Sequence, residues 1–176
     1  MKLLFAFIFS FLLLPQHNSE KITWSENQKL TWQDFKGEPV PSASFVASTN
    51  SGLSFQYSYT TKGDDVSVKY SVSSFFDPNS SWYKPSKVND HILNHEQAHF
   101  DISELHARKL RKNLDGKQFS KKAKSEVEAI YNQVEQQRRA MQTKFDAETD
   151  HSRNEEKELQ WQKFIVKKLA EYESWK

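Results

Sequence analysis

Residues 88–110 read VNDHILNHEQAHFDISELHARKL, and this stretch decides how the second half of the chain folds. Its apolar and histidine positions recur three or four residues apart, which is the period of one face of an α-helix. The pattern begins near residue 86 and ends before Asp115-Gly116, a typical helix stop. We therefore predict one long helix here, and the chain on either side of it supplies what it packs against.

The segment before this helix, residues 40–81, alternates apolar with polar side chains as β-strands do. Two such runs are present, one at Leu53, Phe55, Tyr57 and Tyr59 and one at Val66, Val68, Tyr70 and Val72. The spacer Thr61-Lys62-Gly63-Asp64 between them is turn-like. We predict an antiparallel β-hairpin that packs on the helix.

Two further long helices are predicted after residue 116. The second follows Ser120, and its apolar face holds Ala123, Val127, Ile130, Val134 and Met141. The third begins near Ser152, where Glu155 completes a capping box, and residues 145–151 form the loop between the two helices. Strands followed by helices indicate the α+β class.

The composition limits the possible functions. The chain has 176 residues, and 25 basic minus 23 acidic side chains gives a net charge of +2, so a dedicated nucleic-acid binder is not expected. It contains no cysteine, which excludes a disulfide scaffold, a thiolate metal site and a cysteine nucleophile. Residues 20–176 are expected to form a single domain.

The N-terminal segment resembles a secretory signal. Lys2 precedes an apolar run, Leu3–Leu14, in which Ser10 is the only polar residue. The run is shorter than the roughly 20 residues that a membrane-spanning helix needs. We predict a signal peptide over residues 1–19, with an uncleaved anchor as the alternative. The protein is then exported by a bacterium, to the periplasm or the medium, and has no membrane span after cleavage.

The sequence His95-Glu96-Gln97-Ala98-His99 lies inside the predicted helix. Four residues of helix bring the two imidazoles to within about 40° of each other and roughly 6 Å apart along the axis, so both can bind one Zn²⁺ ion. Glu96 then lies beside the metal, where a carboxylate can act as general base and acid for a zinc-activated water. The alternative is that both histidines belong to the core.

A catalytic zinc usually has three protein ligands and a water. The acidic stretch before the third helix offers the third ligand, with His151 as first choice. The rivals are Asp146, Glu148 and Asp150 on the same stretch, or Glu126 and Glu128 on the second helix. A different reading makes Thr149 or Asp150 an ordinary helix N-cap and leaves His151 in solvent.

His106 returns to the same face of the helix but lies about 10 Å beyond His99, too far to share an ion. We expect it to be a packing residue. Asp101 and Glu104 point away from the two histidines and are expected on the helix surface or in hydrogen bonds.

Five segments together resemble the bacterial family called domain of unknown function 922, described as predicted secreted zinc-dependent proteases. The resemblance is carried by LTWQDFKG at 30–37, Ser81-Trp82, HEQAHFDI at 95–102, ARKL at 107–110 and ETDH at 148–151. It implies a zincin-like fold, with metal ligands at His95 and His99 and a general acid/base at Glu96. By analogy with such folds, the hairpin strand near residues 64–74 is expected beside the metal, where it can pair with an extended peptide.

The expected function is that of an exported, monomeric zinc metallopeptidase. His95, His99 and His151 hold the ion, Glu96 transfers protons, and the substrate is a peptide or protein of the cell envelope. The alternative is an envelope module, with or without zinc, that binds a protein or cell-wall partner without turnover.

Overall fold

The computed structural model describes residues 21–176, so the predicted signal peptide, residues 1–19, lies outside the described residues. Eight strands and helices follow one another along the chain. They are β1 Ile22–Thr23, β2 Ala47–Ser48, β3 Ser51–Lys62, β4 Asp65–Phe76, β5 Trp82–Tyr83, α1 Asp90–Leu114, α2 Ala123–Thr149 and α3 Glu155–Glu171. The fold is α+β with an N-terminal antiparallel sheet and three helices, as the sequence predicts.

The predicted hairpin is formed by β3 and β4, which pair antiparallel from Ser51↔Phe76 to Lys62↔Asp65. The turn between them is Gly63-Asp64, and Gly63 has φ 63°, a left-handed conformation that glycine adopts without steric cost. The short strand β1 pairs with the other edge of β4. β4 is therefore the central strand of its sheet, which has the order β1-β4-β3.

Helix α1 lies at the centre of the molecule and is buried on more than one side. Its C-terminal half packs on the hairpin and on α2 in a core of Leu53, Val72, Ala107, Leu110, Leu114, Val127 and Val134. Its N-terminal half packs on α2 and α3 in a second core of Ala98, Ile102, Phe145, Trp161 and Ile165. Because both cores share α1, its residues near position 98 are held from several directions at once.

Helix α2 is longer than the sequence predicts. Residues 145–149, expected in a loop, continue the helix to Thr149, because Phe145 and Thr149 are both fully buried on its inner face. Thr149 also donates a hydrogen bond to the Phe145 carbonyl at 2.8 Å. The alternative in which Thr149 or Asp150 is a helix N-cap is wrong, since Thr149 is the last residue of α2 and Asp150 is its C-cap.

Helix α3 begins at Glu155, three residues later than the predicted start at Ser152. Its N-cap is Asn154, whose side chain accepts a hydrogen bond from the Lys157 amide at 3.1 Å. Between α2 and α3, Asp150, His151 and Ser152 have φ values of 48°, 50° and 70°. Non-glycine residues adopt this left-handed region at a cost in free energy, so the connection is a strained turn.

A separate two-stranded sheet lies beside α1. In it β2 pairs antiparallel with β5, with Ala47 opposite Tyr83 and Ser48 opposite Trp82. Thr49 donates to the Glu96 carbonyl at 3.3 Å, and Ser51 donates to the His99 carbonyl at 3.3 Å. These bonds fix the extended chain on either side of Asn50 against the middle of α1.

Across residues 21–176, none of the helices has the length and apolarity that a bilayer crossing requires.

The expectation for His106 is confirmed: its side chain is 1% exposed and donates from Nδ1 to the Ile102 carbonyl at 2.8 Å. Asp101 accepts hydrogen bonds from Trp24 and Gln97, as expected. Glu104 is buried rather than on the surface, and it takes the other expected role, since it accepts hydrogen bonds from Arg108 at 3.1 Å and from Ser74 at 2.7 Å.

Burial lowers the pKa of His106 to about 4. In the unfolded chain a histidine has a pKa near 6.5, so below that pH it binds a proton that the buried His106 does not bind. His106 therefore destabilises the folded state increasingly as the pH falls from 6.5 to 4, and it has no such effect above pH 6.5. Between pH 7 and pH 5 we expect this residue to cost about 2 kcal/mol of unfolding free energy. Urea unfolding at both pH values should show a fall that is about 2 kcal/mol larger in the wild type than in His106→Asn, and equal falls would contradict the prediction.

Candidate metal centre

His95 and His99 lie one turn apart on α1, and their rings converge. The two Nε2 atoms are 3.2 Å apart. Both side chains are largely shielded from solvent, with exposed fractions of 5% and 12%. The convergence follows from the i, i+4 spacing that the sequence shows.

Asp146 is brought to the same point by α2. Its Oδ1 is 3.3 Å from His95 Nε2 and 3.0 Å from His99 Nε2. Two ligands on one tetrahedral zinc ion, at bond lengths of about 2.0–2.1 Å, lie about 3.3 Å apart. The three atoms thus have the mutual spacing of ligands that share an ion. Within residues 21–176, they form the group of histidine and acidic side chains that could hold a metal ion.

The other ring nitrogens fix the tautomers of both histidines. His95 Nδ1 is 2.9 Å from Oε2 of Glu158, and His99 Nδ1 contacts Oε1 of Gln142. Carboxylate and amide oxygens only accept hydrogen bonds, so each Nδ1 carries a hydrogen. The Nε2 lone pairs are therefore directed at each other and at the Asp146 carboxylate, an arrangement that requires a positive charge between them.

The electrostatics of the group agree with that requirement. Burial lowers the pKa of His95, but hydrogen bonds with Asp146 and Glu158 and the charge of Glu96 outweigh it and raise the pKa to about 9. Burial raises the pKa of Asp146, yet its hydrogen bonds with His95 and His99 hold it below its usual range. In the absence of a metal, a proton supplies the missing positive charge.

Glu96 is the neighbouring acidic group, and its side chain is buried. Its Oε2 has no hydrogen-bond partner within residues 21–176. A buried carboxylate oxygen without a partner is costly, and native structures rarely retain one without a functional reason. Glu96 lines a cavity together with His95, His99 and Asp146. The donor set and the free carboxylate oxygen both fit a metal ion with a water at this place.

The cavity has a volume of about 120 Å³, and the chain from Phe45 to Thr49, which includes strand β2, forms one wall. The sequence-based expectation of a strand near residues 64–74 beside the site is wrong. That segment belongs to β4, which has strands on both edges and packs against the other end of α1. The strand next to the site is β2.

His151 lies on the rim of the cavity rather than among the three converging atoms. Its Nδ1 is 3.8 Å from Asp146 Oδ1, and its side chain is 46% exposed. The ring stacks on Phe45, with ring centres 5.8 Å apart. The strained turn holds it there, and His91 Nε2 donates to the Ser152 carbonyl at 2.8 Å.

The other rival ligands have different partners or positions. Glu148 accepts a hydrogen bond from Trp161 at 2.8 Å, and Asp150 is exposed and 3.5 Å from Arg153. Glu126 and Glu128 precede Asp146 by 20 and 18 residues on α2, so about 27–30 Å of helix separates them from the site.

Glu158 and Gln142 are the residues that sequence reasoning missed. Glu158 lies on the same buried face of α3 as Trp161 and Ile165. A carboxylate on an otherwise apolar helix face is the sequence pattern that could have indicated a role for Glu158. Gln142 precedes Asp146 by one helical turn, so the two share a face of α2. The interpretation of residues 145–149 as a loop concealed that relationship.

Comparison with known proteins gives one match. A family model described as bacterial protein of unknown function (DUF922) matches residues 22–152. No curated protein matches. No solved structure matches either.

Glu158→Ala removes the acceptor that orients His95, and we expect zinc affinity to fall about 10- to 100-fold. Glu156→Ala is the matched control, because Glu156 lies on the same helix and is exposed. Competition with a chromophoric chelator measures both. Glu158→Gln, which keeps an acceptor oxygen, should recover part of the loss. Equal affinities for the two alanine variants would show that Glu158 does not orient His95.

Proposed function

The chain belongs to the bacterial DUF922 family, and we propose that it is a zinc-dependent peptidase. The ligands are His95, His99 and Asp146, and Glu96 is the general base and acid. In this proposal Asp146 takes the role that the sequence first suggested for His151. The observation that carries the proposal is the convergence of three lone-pair atoms beside a buried carboxylate oxygen without a partner.

When bound, zinc would act as a Lewis acid that makes water nucleophilic near neutral pH. The remaining work falls to the chain itself. Glu96 is oriented by its place in the middle of α1 and has Oε2 free to accept a proton and return it to a leaving amine. Glu158 and Gln142 hold the imidazoles so that both Nε2 atoms face the ion.

A peptide substrate is supported by the wall of extended chain. The Lys84 amide donates to the Val46 carbonyl at 2.8 Å, so residue 46 directs its carbonyl toward β5. Neighbouring residues of a strand alternate, so the amide and carbonyl of Ala47, a residue that lines the cavity, point away from β5. An extended peptide can add to that edge with a carbonyl near Glu96.

A helix that carries two histidines, beside a short strand that lines the same cavity, also supports zincin-like packing as part of this proposal. The N-terminal apolar segment supports export to the periplasm or medium, where the substrate would be an envelope peptide or protein.

Asp146→Ala and His151→Ala separate the two candidates for third ligand. We expect the purified wild type to contain about one zinc ion per chain, as measured by mass spectrometry. Asp146→Ala should lose most of it, because its Oδ1 is the third converging atom. His151→Ala should keep it. The reverse result would make His151 the ligand and remove Asp146 from the proposal.

Glu96→Gln tests catalysis apart from metal binding. The variant keeps its size and a full set of zinc ligands, so zinc content should not change. Hydrolysis of a mixed peptide library should fall by about 10²- to 10⁴-fold, since an amide cannot take the proton. Liquid chromatography of the products measures this. If wild type and Glu96→Gln process the library equally poorly, the protein is an envelope binding module and not an enzyme.

A further inference from the structure

A second cavity, of about 400 Å³, adjoins the first. The two share a border formed by the stacked rings of Phe45 and His151 together with Val46, Ile92 and Ser152. The cleft that contains Glu96 therefore continues past the stacked pair, on the side of the strained turn. Any chain that occupies the first cavity in an extended form has room to continue into the second.

In the lining of the second cavity, basic side chains outnumber acidic ones. Four of them face it, Lys87, His91, His151 and Arg153, against one acidic side chain, Glu155. Lys87 is exposed and forms no ion pair within residues 21–176. Arg153 is exposed too, at 3.5 Å from both Asp150 and the Ser44 carbonyl. Neither cation is tightly neutralised.

Two structural features keep these side chains at the cleft. The left-handed residues 150–152 turn the chain back so that Arg153 follows His151 along the rim. The hydrogen bond from His91 to the Ser152 carbonyl fastens this turn to the first turn of α1. Asn89, the N-cap of α1, also lines the cavity, so the positive end of that helix adds to the field of the side chains.

The geometry points to a subsite in this second cavity that binds a carboxylate of the substrate. The inference rests on the proposed function, because it names the kind of peptide that would occupy the site. The carboxylate is either an acidic side chain or the C-terminus of the substrate, and Lys87 and Arg153 are the cations that would contact it.

The test uses three octapeptides of alanine and glycine, each labelled with an uncharged BODIPY fluorophore. One is neutral with an amidated C-terminus, one carries a single aspartate and an amidated C-terminus, and one has a free C-terminal carboxylate and no acidic side chain. Binding of each peptide is measured by fluorescence polarisation. The protein is the Glu96→Gln variant with equimolar zinc chloride, because this substitution prevents cleavage of the peptide. The same measurement is made on a variant that carries Lys87→Ala and Arg153→Ala in addition to Glu96→Gln.

Lys163→Ala with Lys167→Ala is the matched control. It removes the same charge from two exposed lysines of α3 that line neither cavity. We expect one acidic peptide to bind about three- to tenfold more tightly than the neutral one. That preference should disappear in the Lys87/Arg153 variant and persist in the control, and the peptide that shows it identifies the source of the carboxylate.

Three outcomes overturn the subsite: equal binding of all three peptides, an acid preference that survives in the Lys87/Arg153 variant, or no binding of either acidic peptide. Hydrolysis by the wild type is scored separately. If the protein prefers an acidic peptide but hydrolyses none, the subsite is supported and the peptidase proposal is wrong. If it hydrolyses peptides without preferring an acidic one, the peptidase proposal is supported and the subsite is wrong.

Discussion

The hydrogen bond between His95 Nδ1 and Glu158 Oε2 is the contact on which the rest of the site depends. It joins α1 to α3 across 63 residues of sequence, and both side chains are almost fully buried. A buried carboxylate without a partner would oppose packing of α3, so the imidazole satisfies Glu158 while Glu158 orients the imidazole. Packing of α3 and the direction of His95 Nε2 are therefore one property of the fold.

Charge is the second constraint. Asp146, Glu96 and Glu158 surround two imidazoles, so the neutral form of the histidines leaves negative charge in a region of low solvent access. The raised pKa of His95 is the response of the chain alone. A divalent cation bound to the Nε2 lone pairs would neutralise the same negative charge. Because a proton binds to those lone pairs too, metal and proton must compete for the site.

The sequence was sufficient wherever local pattern decides structure. Alternation and a glycine turn located β3 and β4, and the i, i+4 spacing located the convergence of His95 and His99. The third converging atom was not accessible in this way, because the end of α2 depends on burial of Phe145 and Thr149 by other helices. With residues 145–149 predicted as a loop, nothing in the sequence distinguishes Asp146 from the other acidic residues nearby. Nor does the sequence show that Glu158 contacts His95.

Helical placement explains why Asp146, rather than His151, meets the two histidines. Gln142 and Asp146 lie on one face of α2, so the register of this helix sets both the group that orients His99 and the atom that faces its Nε2. A slip of one residue would rotate that face by about 100° and remove both contacts together. His151 lies beyond the end of the helix, on a turn that the His91 hydrogen bond holds at the rim of the cavity. Atoms that could share an ion must stay at fixed mutual distances, which two packed helices provide and a turn at the rim of the cavity does not.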